Sequence, residues 1–278
     1  LAIAYRCALA GAGVLLHPGF DAGTVAAALS AHAVTHISLV PPMLAGLLDL
    51  GQPPPPSLRV ALIGGQGLAD ALARRALASG WPLCLTYGMT ETGSQVATSA
   101  VLAAPPETGV VGTPLPGLAL DCPGCADPAR TLRLKGELVM AGYANPDRTQ
   151  GLGLADGWLT TADLACLTPA GALRVLGRSD GALVIGGVQV YPGLVAARLL
   201  TAPGVTEAVV LGLAEPTWGA HLAAAYVGEA SEAEVADWCR VQLPGPERPR
   251  TLRHLEALPR LASGKPDLGL IRELLGLA

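Results

Sequence analysis

The sequence has few charged residues, few aromatic residues and almost no lysine. Charged residues make up 14% of the 278 residues and aromatic residues 4%, and the net charge is -4. Lys135 and Lys265 are the only lysines. Such a chain has no basic field that could release counterions from nucleic acid, so we expect no nucleic-acid partner. Its hydrophobic content of 51% argues against intrinsic disorder.

Long uncharged apolar runs are absent as well. No window reaches the roughly 18 apolar residues of a membrane-spanning helix, because Arg6 and His17 bracket the longest N-terminal stretch. That stretch lacks the basic start and the cleavage site of a signal peptide, and its first residue is Leu1 rather than Met. We therefore expect a cytoplasmic protein without a membrane span, whose chain starts inside a longer polypeptide.

The six cysteines are scattered along a chain that is large enough to fold without disulfides, so we expect reduced thiols. Cys122 and Cys125 form a CPGC motif. A structural zinc site needs a second pair of cysteines or histidines, and this motif has none. We therefore favour a proline-containing surface turn over a metal site.

The first 120 or so residues alternate helical and strand patterns. Helices are predicted at 24–32, 42–50 and 69–79, and strands at 36–40, 58–63 and 82–87. This order indicates a parallel sheet, whose binding sites lie at the carboxyl ends of the strands. Two of the strands are followed by loops rich in glycine and threonine, GGQG at 64–67 and GMTETG at 88–93.

The later segments indicate a different architecture. Short strands at 131–176 are typical of a small β subdomain. After a charged turn come a glycine hairpin, LVIGGVQVYP, and a helix that Ser231 caps together with Glu234. The apolar face of this helix would consist of Val235, Trp238, Cys239 and Leu243.

The length suggests about two domains, and we place their boundary at Asp180. Residues 1–179 would form the C-terminal portion of a large α/β domain, with βα layers and the β subdomain. Residues 180–278 would form a small mobile α+β domain.

The segment TYGMTETGSQVAT, at 86–98, combines a flat ring, hydroxyl groups and a carboxylate. Tyr87 offers its ring to a base, Thr90 can donate to a phosphate, and Glu91 is the hard oxygen ligand that Mg²⁺ prefers. Taken alone, the segment is better explained as a polar turn with a capping threonine and a solvated glutamate. Thr92, Ser94 and the strand residue His36 are further candidates for substrate contacts.

Two more segments carry candidate residues. In GWLTTADL, Asp163 can accept the two hydroxyls of a ribose, and Arg178 could contact the same nucleotide. The alternative is a weak exposed ion pair. In LPRLASGKPD, Lys265 lies in a loop that is not a Walker loop, since Pro266 replaces the required Ser or Thr. A solvated loop lysine is the alternative there.

In their order and spacing these segments resemble the adenylate-forming superfamily of acyl-CoA synthetases, luciferases and peptide-synthetase adenylation domains. The matching segments span nearly the whole chain: YGMTETG, GELVMAGY with NPDRT, GWLTTADLACLTPAGALRVLGRSD, LVIGGVQVYP, VTEAVVLGLAEPTWG and LPRLASGK. Within the superfamily, THISLVPPML, IGGQGLADAL and GMTETGSQVAT most resemble the o-succinylbenzoate:CoA ligases of menaquinone biosynthesis.

The resemblance implies a role for each candidate. Tyr87 would pack on the adenine, and Asp163 would bind the ribose with Arg178 beside it. Thr90 would hold a phosphate and Glu91 the Mg²⁺, while Lys265 would stabilise the transition state of adenylation. The remaining implied positions are Gly64, Gly65, Gln66 and Gly88 in the nucleotide and acyl pocket, Asp180 as the hinge, and Gly186 and Gly187 on the CoA side.

The sequence departs from the superfamily in several places. The Ser/Thr/Gly-rich phosphate loop with its lysine is missing from these 278 residues. The segment between Glu137 and Tyr143 is shortened. Leu194 and Ala196 replace acidic residues, and Val188 stands where the subfamily tends to have Glu.

We therefore expect an ATP- and Mg²⁺-dependent acid:CoA ligase that forms an acyl-adenylate and then a thioester, with o-succinylbenzoate as the acid. A second hypothesis keeps this chemistry for another aryl, fatty or amino acid. A third is a non-catalytic nucleotide-binding fragment. The sequence leaves a homo-oligomer open.

Overall fold

The computed structural model describes residues 2–125, 130–144, 153–179, 181–215, 219–261 and 264–276. The helices are α1 Ala2–Leu9, α2 Ala22–Ala31, α3 Pro41–Asp49, α4 Asp70–Ala78, α5 Pro192–Leu199, α6 Glu232–Gln242 and α7 Leu268–Leu274. The strands are β1 His36–Leu39, β2 Val60–Ile63, β3 Leu83–Met89, β4 Ser94–Thr98, β5 Val110–Pro114, β6 Leu118–Asp121, β7 Arg130–Gly136, β8 Leu154–Ala155, β9 Trp158–Leu167, β10 Leu173–Arg178, β11 Leu183–Ile185, β12 Val188–Val190, β13 Val205–Glu215, β14 Gly219–Gly228 and β15 Thr251–His254.

A ten-stranded mixed sheet contains the strands from β1 to β10, in the order β1-β2-β3-β4-β5-β10-β9-β7-β6, with β8 paired to β9. The strands β1, β2 and β3 are parallel, and the helices α3 and α4 connect them. The βα order predicted from the sequence is therefore confirmed, with element ends within about two residues. Every later pairing in this sheet, from β3 with β4 onwards, is antiparallel.

Two apolar cores support the large sheet. Under the parallel part, Leu44, Ile63 and Leu83 are almost completely buried between helices and strands. Under the antiparallel part, Leu132 and Leu173 pack with the buried side of β4. Ligands of sheets with this parallel order bind outside the carboxyl ends of the strands, and here the GGQG and GMTETG segments follow those ends.

The C-terminal residues form a separate three-stranded sheet, β13-β14-β15. The helices α5 and α6 pack on one face around Tyr226 and Leu222, and α7 packs on the other around Ile271. The predicted cap of α6 is confirmed, since Ser231 and Glu234 bond each other's backbone N–H groups. Val235 and Cys239 are buried on the predicted apolar face.

The predicted glycine hairpin is also confirmed. Strands β11 and β12 pair in antiparallel register on either side of Gly186 and Gly187. Both glycines have positive φ, 57° and 81°, which a two-residue hairpin of type I′ requires. The neighbouring Val184 and Val188 are exposed, so the hairpin presents an apolar outer surface.

The expectation of reduced cysteines is wrong for one pair. Cys125 and Cys166 form a disulfide, while Cys7, Cys84, Cys122 and Cys239 are free thiols. The turn of the CPGC motif lies alongside the end of β9, where Leu167 N–H donates to the Pro123 carbonyl at 2.9 Å. This pairing brings the two Cα atoms to 4.9 Å, a normal disulfide separation.

One expectation falls outside the structure, and one element of the structure was not expected. Asp180, the proposed hinge and boundary, lies outside the described residues, so that assignment stays a prediction. The helix α1 was not predicted, and none of its residues is buried. Among the described helices, none has the length and apolarity needed to cross a membrane.

Candidate functional site

A cavity of about 320 Å³ lies where β3 ends and turns into β4. It is lined by Gly65, Thr86, Gly88, Met89, Thr90, Gly93, Ser94 and Gln95. Five of these residues belong to the two loops that the sequence predicted to bind ligand, GGQG and GMTETG, and Thr86, Ser94 and Gln95 lie on the adjoining strands β3 and β4. Another cavity, of about 370 Å³, lies beside Trp238 and contains none of the predicted site residues.

Two glycines let the backbone segments around this cavity approach closely. A Cβ atom added to Gly88 would lie 1.7 Å from the carbonyl oxygen of Ser94, which is an impossible contact. A Cβ atom added to Gly64 would lie 2.7 Å from Cγ2 of Thr86. The predicted pocket glycines therefore have a structural requirement of their own, since a side chain at either position would push two strands or loops apart.

Tyr87, Asp163 and Arg178 meet on one side of the site. The Tyr87 hydroxyl donates to Oδ2 of Asp163 at 2.5 Å, and Nη1 of Arg178 lies 3.5 Å from Oδ1. Burial, together with the Asp163 carboxylate, raises the pKa of Tyr87 well above its ordinary value. Tyr87 therefore stays a neutral donor, and Asp163 is ordered from both sides.

Local pairing explains why Asp163 and Arg178 meet. They are directly opposite each other in the antiparallel register of β9 and β10. The buried Thr161 hydroxyl donates to the Leu132 carbonyl at 2.9 Å and accepts from the Asp163 N–H at 3.0 Å, which fixes the strand beside the carboxylate. The Asp163 side chain is 13% exposed and that of Arg178 is 60% exposed.

Thr90 and Glu91 lie on a single turn of 3₁₀-helix between β3 and β4. Thr92 closes this turn, because its buried hydroxyl lies 3.1 Å from the Met89 carbonyl and 3.2 Å from that of Ser94. The turn leaves Thr90 exposed at the cavity, and the neighbouring Glu91 is half-buried. Thr92 thus caps the turn, and Ser94 lines the cavity, while a substrate contact by either residue stays a prediction.

Glu91 has a partner that the sequence analysis missed. The Tyr143 hydroxyl donates to Oε1 of Glu91 at 2.9 Å, and this hydrogen bond raises the pKa of Tyr143. The Met140 N–H also donates to the Glu91 carbonyl at 2.8 Å. The shortened segment after Glu137 therefore folds back over the carboxylate.

Gln95 is a second residue that the sequence analysis missed. Its amide donates to the Thr98 hydroxyl at 2.7 Å and to the Thr86 hydroxyl at 3.1 Å, while its oxygen accepts from Arg6. Gln95 and Thr86 lie inside the segment at 86–98, so its density of polar residues was the available signal. No local pattern indicated Tyr143.

The Lys265 loop lies against the GGQG loop. The side-chain amide of Gln66 donates to the carbonyl of Gly264 at 3.2 Å, across 198 residues of sequence. Lys265 itself is exposed. This contact brings the C-terminal candidate to the loop that follows β2.

Not every candidate lies at this site. His36 is at the amino end of β1, where Nδ1 is 2.8 Å from the Thr35 hydroxyl, whereas the cavity lies at the carboxyl ends of the parallel strands. His36 is therefore away from this cavity, and its substrate contact stays a prediction. Gly186 and Gly187 are at the turn between β11 and β12, and neither lines the cavity.

The donor set fits a magnesium ion that is shared with a substrate. Within the described residues, no group of three or more His, Cys, Asp or Glu side chains could hold a metal by itself. The turn between β3 and β4 offers one carboxylate, Glu91, next to Thr90, while the Asp163 carboxylate is engaged by Tyr87 and Arg178. Mg²⁺ is commonly bound in this way, by one or two carboxylates together with substrate phosphates.

Comparison with known protein families gives two matches in one chain. Residues 1–145 match the AMP-binding enzyme family, and residues 195–265 match the C-terminal domain of AMP-binding enzymes. The chain belongs to the AMP-binding enzyme family. The predicted superfamily is therefore confirmed, and so is the fold class, with a large α/β part followed by a small α+β part.

Comparison with individual members shows which proteins of the family the chain is similar to. The chain is 37% identical over 262 residues to the 2-succinylbenzoate–CoA ligase of Bacillus mycoides (strain KBAB4), covering 91% of this chain and 54% of the relative. It superimposes with a TM-score of 0.82 and 31% identity on the o-succinylbenzoate CoA synthetase of Bacillus subtilis in complex with the acyl-adenylate intermediate, covering 98% of this chain and 57% of that one. For the same synthetase in complex with ATP and magnesium ion, the TM-score is 0.81 at 32% identity, with 95% and 57% covered. The chain spans about half the length of these relatives.

Proposed function

We propose that this chain supplies the adenine pocket, the metal carboxylate and the lysine loop of an ATP-dependent acid:CoA ligase. One observation carries the proposal: Gln66 of the pocket loop donates to the Gly264 carbonyl, next to Lys265. The contact between Tyr87 and Asp163 across the large sheet adds support. In the proposed reaction the acid attacks the α-phosphorus of ATP and releases pyrophosphate. The CoA thiol then attacks the acyl carbon and releases AMP.

Nucleotide binding is assigned to the Tyr87 side of the site. The ring of Tyr87 would pack on the adenine, and the backbone at Gly64, Gly65, Gln66 and Gly88 would line the pocket. In this structure the Tyr87 hydroxyl uses one oxygen of Asp163. A carboxylate can accept about four hydrogen bonds, so Asp163 retains acceptor capacity for the ribose hydroxyls, with Arg178 beside it.

Glu91 and Thr90 are assigned to the phosphates. Glu91 would hold Mg²⁺ together with the phosphate oxygens, and the Thr90 hydroxyl would donate to a phosphate. The metal would neutralise phosphate charge as it develops. The Tyr143 hydroxyl keeps the Glu91 carboxylate oriented and leaves its charge intact.

Lys265 is assigned to the transition state of adenylation. Its ammonium is an exposed, mobile point charge at the end of a loop that lies against the GGQG loop. At this place it can bridge the attacking carboxylate and the α-phosphate while negative charge shifts between them.

Thioester formation is assigned to a second arrangement of the same chain. Residues 180–278 would rotate about Asp180 relative to residues 1–179 and bring the hairpin of Gly186 and Gly187 to the pantetheine. Hinge residues of this kind absorb large changes of backbone angle. The cytoplasmic location predicted from the sequence stays a prediction.

The proposed acid is 2-succinylbenzoate, and the support is the substrate named for the relatives. The test is acid-dependent exchange of pyrophosphate into ATP, measured for the 278-residue chain and for the longest polypeptide encoded in frame with it. Exchange with 2-succinylbenzoate supports the proposal, and exchange only with other aryl, fatty or amino acids replaces the substrate. If no acid in the panel supports exchange, the ligase proposal is wrong and the nucleotide-binding fragment remains.

The substitution Lys265→Ala tests the lysine. Loss of a charge that acts only in the transition state should slow pyrophosphate exchange by about 100-fold or more. Thioester formation from supplied acyl-adenylate should change little. The control is Lys135→Ala, since Lys135 lies on β7 and donates to the Asp156 carbonyl at 3.2 Å. Equal loss of both half-reactions in Lys265→Ala would contradict the assigned role.

A further inference from the structure

The carbonyl of Gly264, the residue before Lys265, accepts hydrogen bonds from two side chains. Nη1 of Arg260 donates to it at 2.8 Å, and Nε2 of Gln66 donates to it at 3.2 Å. Arg260 belongs to the same loop, whereas Gln66 belongs to the loop after β2. The Gly264 carbonyl oxygen therefore links the lysine loop to Arg260, at the start of the same loop, and to Gln66, in the loop after β2.

The backbone of the loop forms a closed turn that presents this oxygen. The Leu261 N–H donates to the Lys265 carbonyl at 2.9 Å, and the Gly264 N–H donates to the Leu261 carbonyl at 2.8 Å. Gly264 has φ +80°, a conformation that favours glycine. The Gly264 carbonyl is left to accept from side chains.

Arg260 is itself held in place. Its Nη2 donates to Oε2 of Glu207 on β13, and the two side chains are only 21% and 30% exposed. A guanidinium has donors arranged in a fixed fork, so one Arg can bond Glu207 and Gly264 at the same time. The ammonium of a lysine is a single point and cannot span both acceptors in this way.

The position of Lys265 follows from the position of the Gly264 carbonyl. The peptide group is planar, so the Gly264 carbonyl carbon and oxygen lie in one plane with the nitrogen and Cα of Lys265. Two donors on that oxygen fix the orientation of the plane, and with it the point from which the lysine side chain starts. Misplacement by about 1 Å can cost roughly 100-fold in rate.

We propose that Arg260 and Gln66 are positioning residues for Lys265 and that their roles differ. Arg260 and Glu207 shape the loop and move with it. Gln66 bonds the loop only when the loop lies at the nucleotide pocket, so it favours the arrangement for adenylation over the arrangement for thioester formation. The consequence for catalysis rests on the proposed function, whereas the effect on the lysine position does not.

The scarcity of lysine makes the position of Lys265 measurable. The reagent 5′-(4-fluorosulfonylbenzoyl)adenosine carries an electrophile on an adenosine and modifies amines close to bound nucleoside. Peptide mass spectrometry can then report modification at Lys265, with Lys135 as the internal reference. The quantity compared is the maximal rate of Lys265 modification at saturating reagent, which separates lysine position from adenosine affinity.

Three variants carry the test. Gln66→Glu keeps the size of the side chain but places an acceptor opposite the Gly264 carbonyl. Arg260→Met removes the guanidinium that donates to this carbonyl and to Glu207. Each should lower the maximal rate about fivefold, the effect of one lost hydrogen bond of ordinary strength. Arg260→Lys keeps the positive charge beside Glu207, so this variant should fold normally. Its maximal rate of Lys265 modification should still be lower than that of the unmodified chain. The matched controls are Gln242→Glu and Arg272→Met, at exposed positions on α6 and α7.

The outcomes separate the two proposals. If adenosine does not protect Lys265 of the unmodified chain, the proposed function fails. If Lys265 is protected but Gln66→Glu and Arg260→Met react at the rate of the unmodified chain, the positioning proposal is overturned. A second readout is the half-reactions, since Arg260→Met should slow pyrophosphate exchange without slowing thioester formation from saturating, supplied acyl-adenylate.

Discussion

At the scale of single residues, Glu91 depends on a phenol from a distant segment. The Tyr143 hydroxyl donates to Oε1, and so fixes the carboxylate without removing its negative charge. The pKa of Tyr143 is raised by this hydrogen bond. The phenol is therefore still a donor at neutral pH, and the hydrogen bond is lost as the pH rises through the raised pKa of Tyr143.

The substitution Tyr143→Phe tests this role. Glu91 would gain rotational freedom, so the Mg²⁺ concentration for half-maximal pyrophosphate exchange should rise about two- to fivefold, the effect of one hydrogen bond to a charged group on a partly exposed site. Binding of Mn²⁺ in the presence of ATP, followed by electron paramagnetic resonance, should weaken by a similar factor. Tyr5→Phe is the control, since Tyr5 is 66% exposed on α1. An unchanged metal dependence in Tyr143→Phe would show that Glu91 is oriented without the phenol.

The chemistry of these residues was readable from the sequence, but most of their contacts were not. Ring, hydroxyl and carboxylate groups follow β3 in one short segment, so their presence at a strand end could be predicted. The contact between Tyr87 and Asp163 depends on how the sheet curves over the strands between β3 and β9. That curvature arises from packing along the whole sheet, and no local pattern encodes it.

At the scale of elements, the turn with the CPGC motif acts as a connection between strands. The Cys125 N–H donates to the Leu167 carbonyl at 3.0 Å. The turn is therefore held against the end of β9 by a backbone hydrogen bond as well as by the disulfide to Cys166. Asp163 lies on the same strand. The disulfide could not be predicted from the sequence, because its partners are 41 residues apart and only the sheet register makes them neighbours.

Removing this disulfide should destabilise the antiparallel part of the sheet. A crosslink that closes a loop of 41 residues contributes about 4 kcal/mol in the chain-entropy description, and less if the native bond is strained. The substitution Cys166→Ala should lower the urea midpoint of unfolding, and a dithiol reductant should then have no further effect on the variant. Cys122→Ser is the control, and it should keep the response to reductant. Alkylation of all six cysteines in the unreduced, unfolded chain would contradict the bond.

At the scale of the whole molecule, the same distinction between local and distant information holds. The βα units, the glycine hairpin and the cap of α6 follow from periodicity and turn residues within about ten positions, and they were predicted. The approach of the lysine loop to the GGQG loop was implied by the family resemblance alone. It depends on how residues 181–276 pack against the large sheet, including the close approach of Gly177 to Gly193 and Leu194.

A contact between the two parts of the chain offers a test of the rearrangement proposed for catalysis. A Cβ atom at Gly67 would lie 3.8 Å from Cδ1 of Leu200, so cysteines at these two positions would face each other across the junction. Gly67→Cys combined with Leu200→Cys, with Cys7 and Cys122 replaced by Ser, can be joined by a short bismaleimide. The crosslink would hold the lysine loop at the pocket.

The crosslinked protein should retain most pyrophosphate exchange and lose thioester formation from supplied acyl-adenylate by about 100-fold, because a conformational step that is blocked also blocks the chemistry that follows it. The two single-cysteine variants, treated with the same reagent, should keep both half-reactions. If the crosslinked chain forms thioester at the rate of the single variants, the hairpin of Gly186 and Gly187 reaches the pantetheine without rotation, and the hinge at Asp180 is not needed. If exchange is lost together with thioester formation, the arrangement described here is not the one that adenylates.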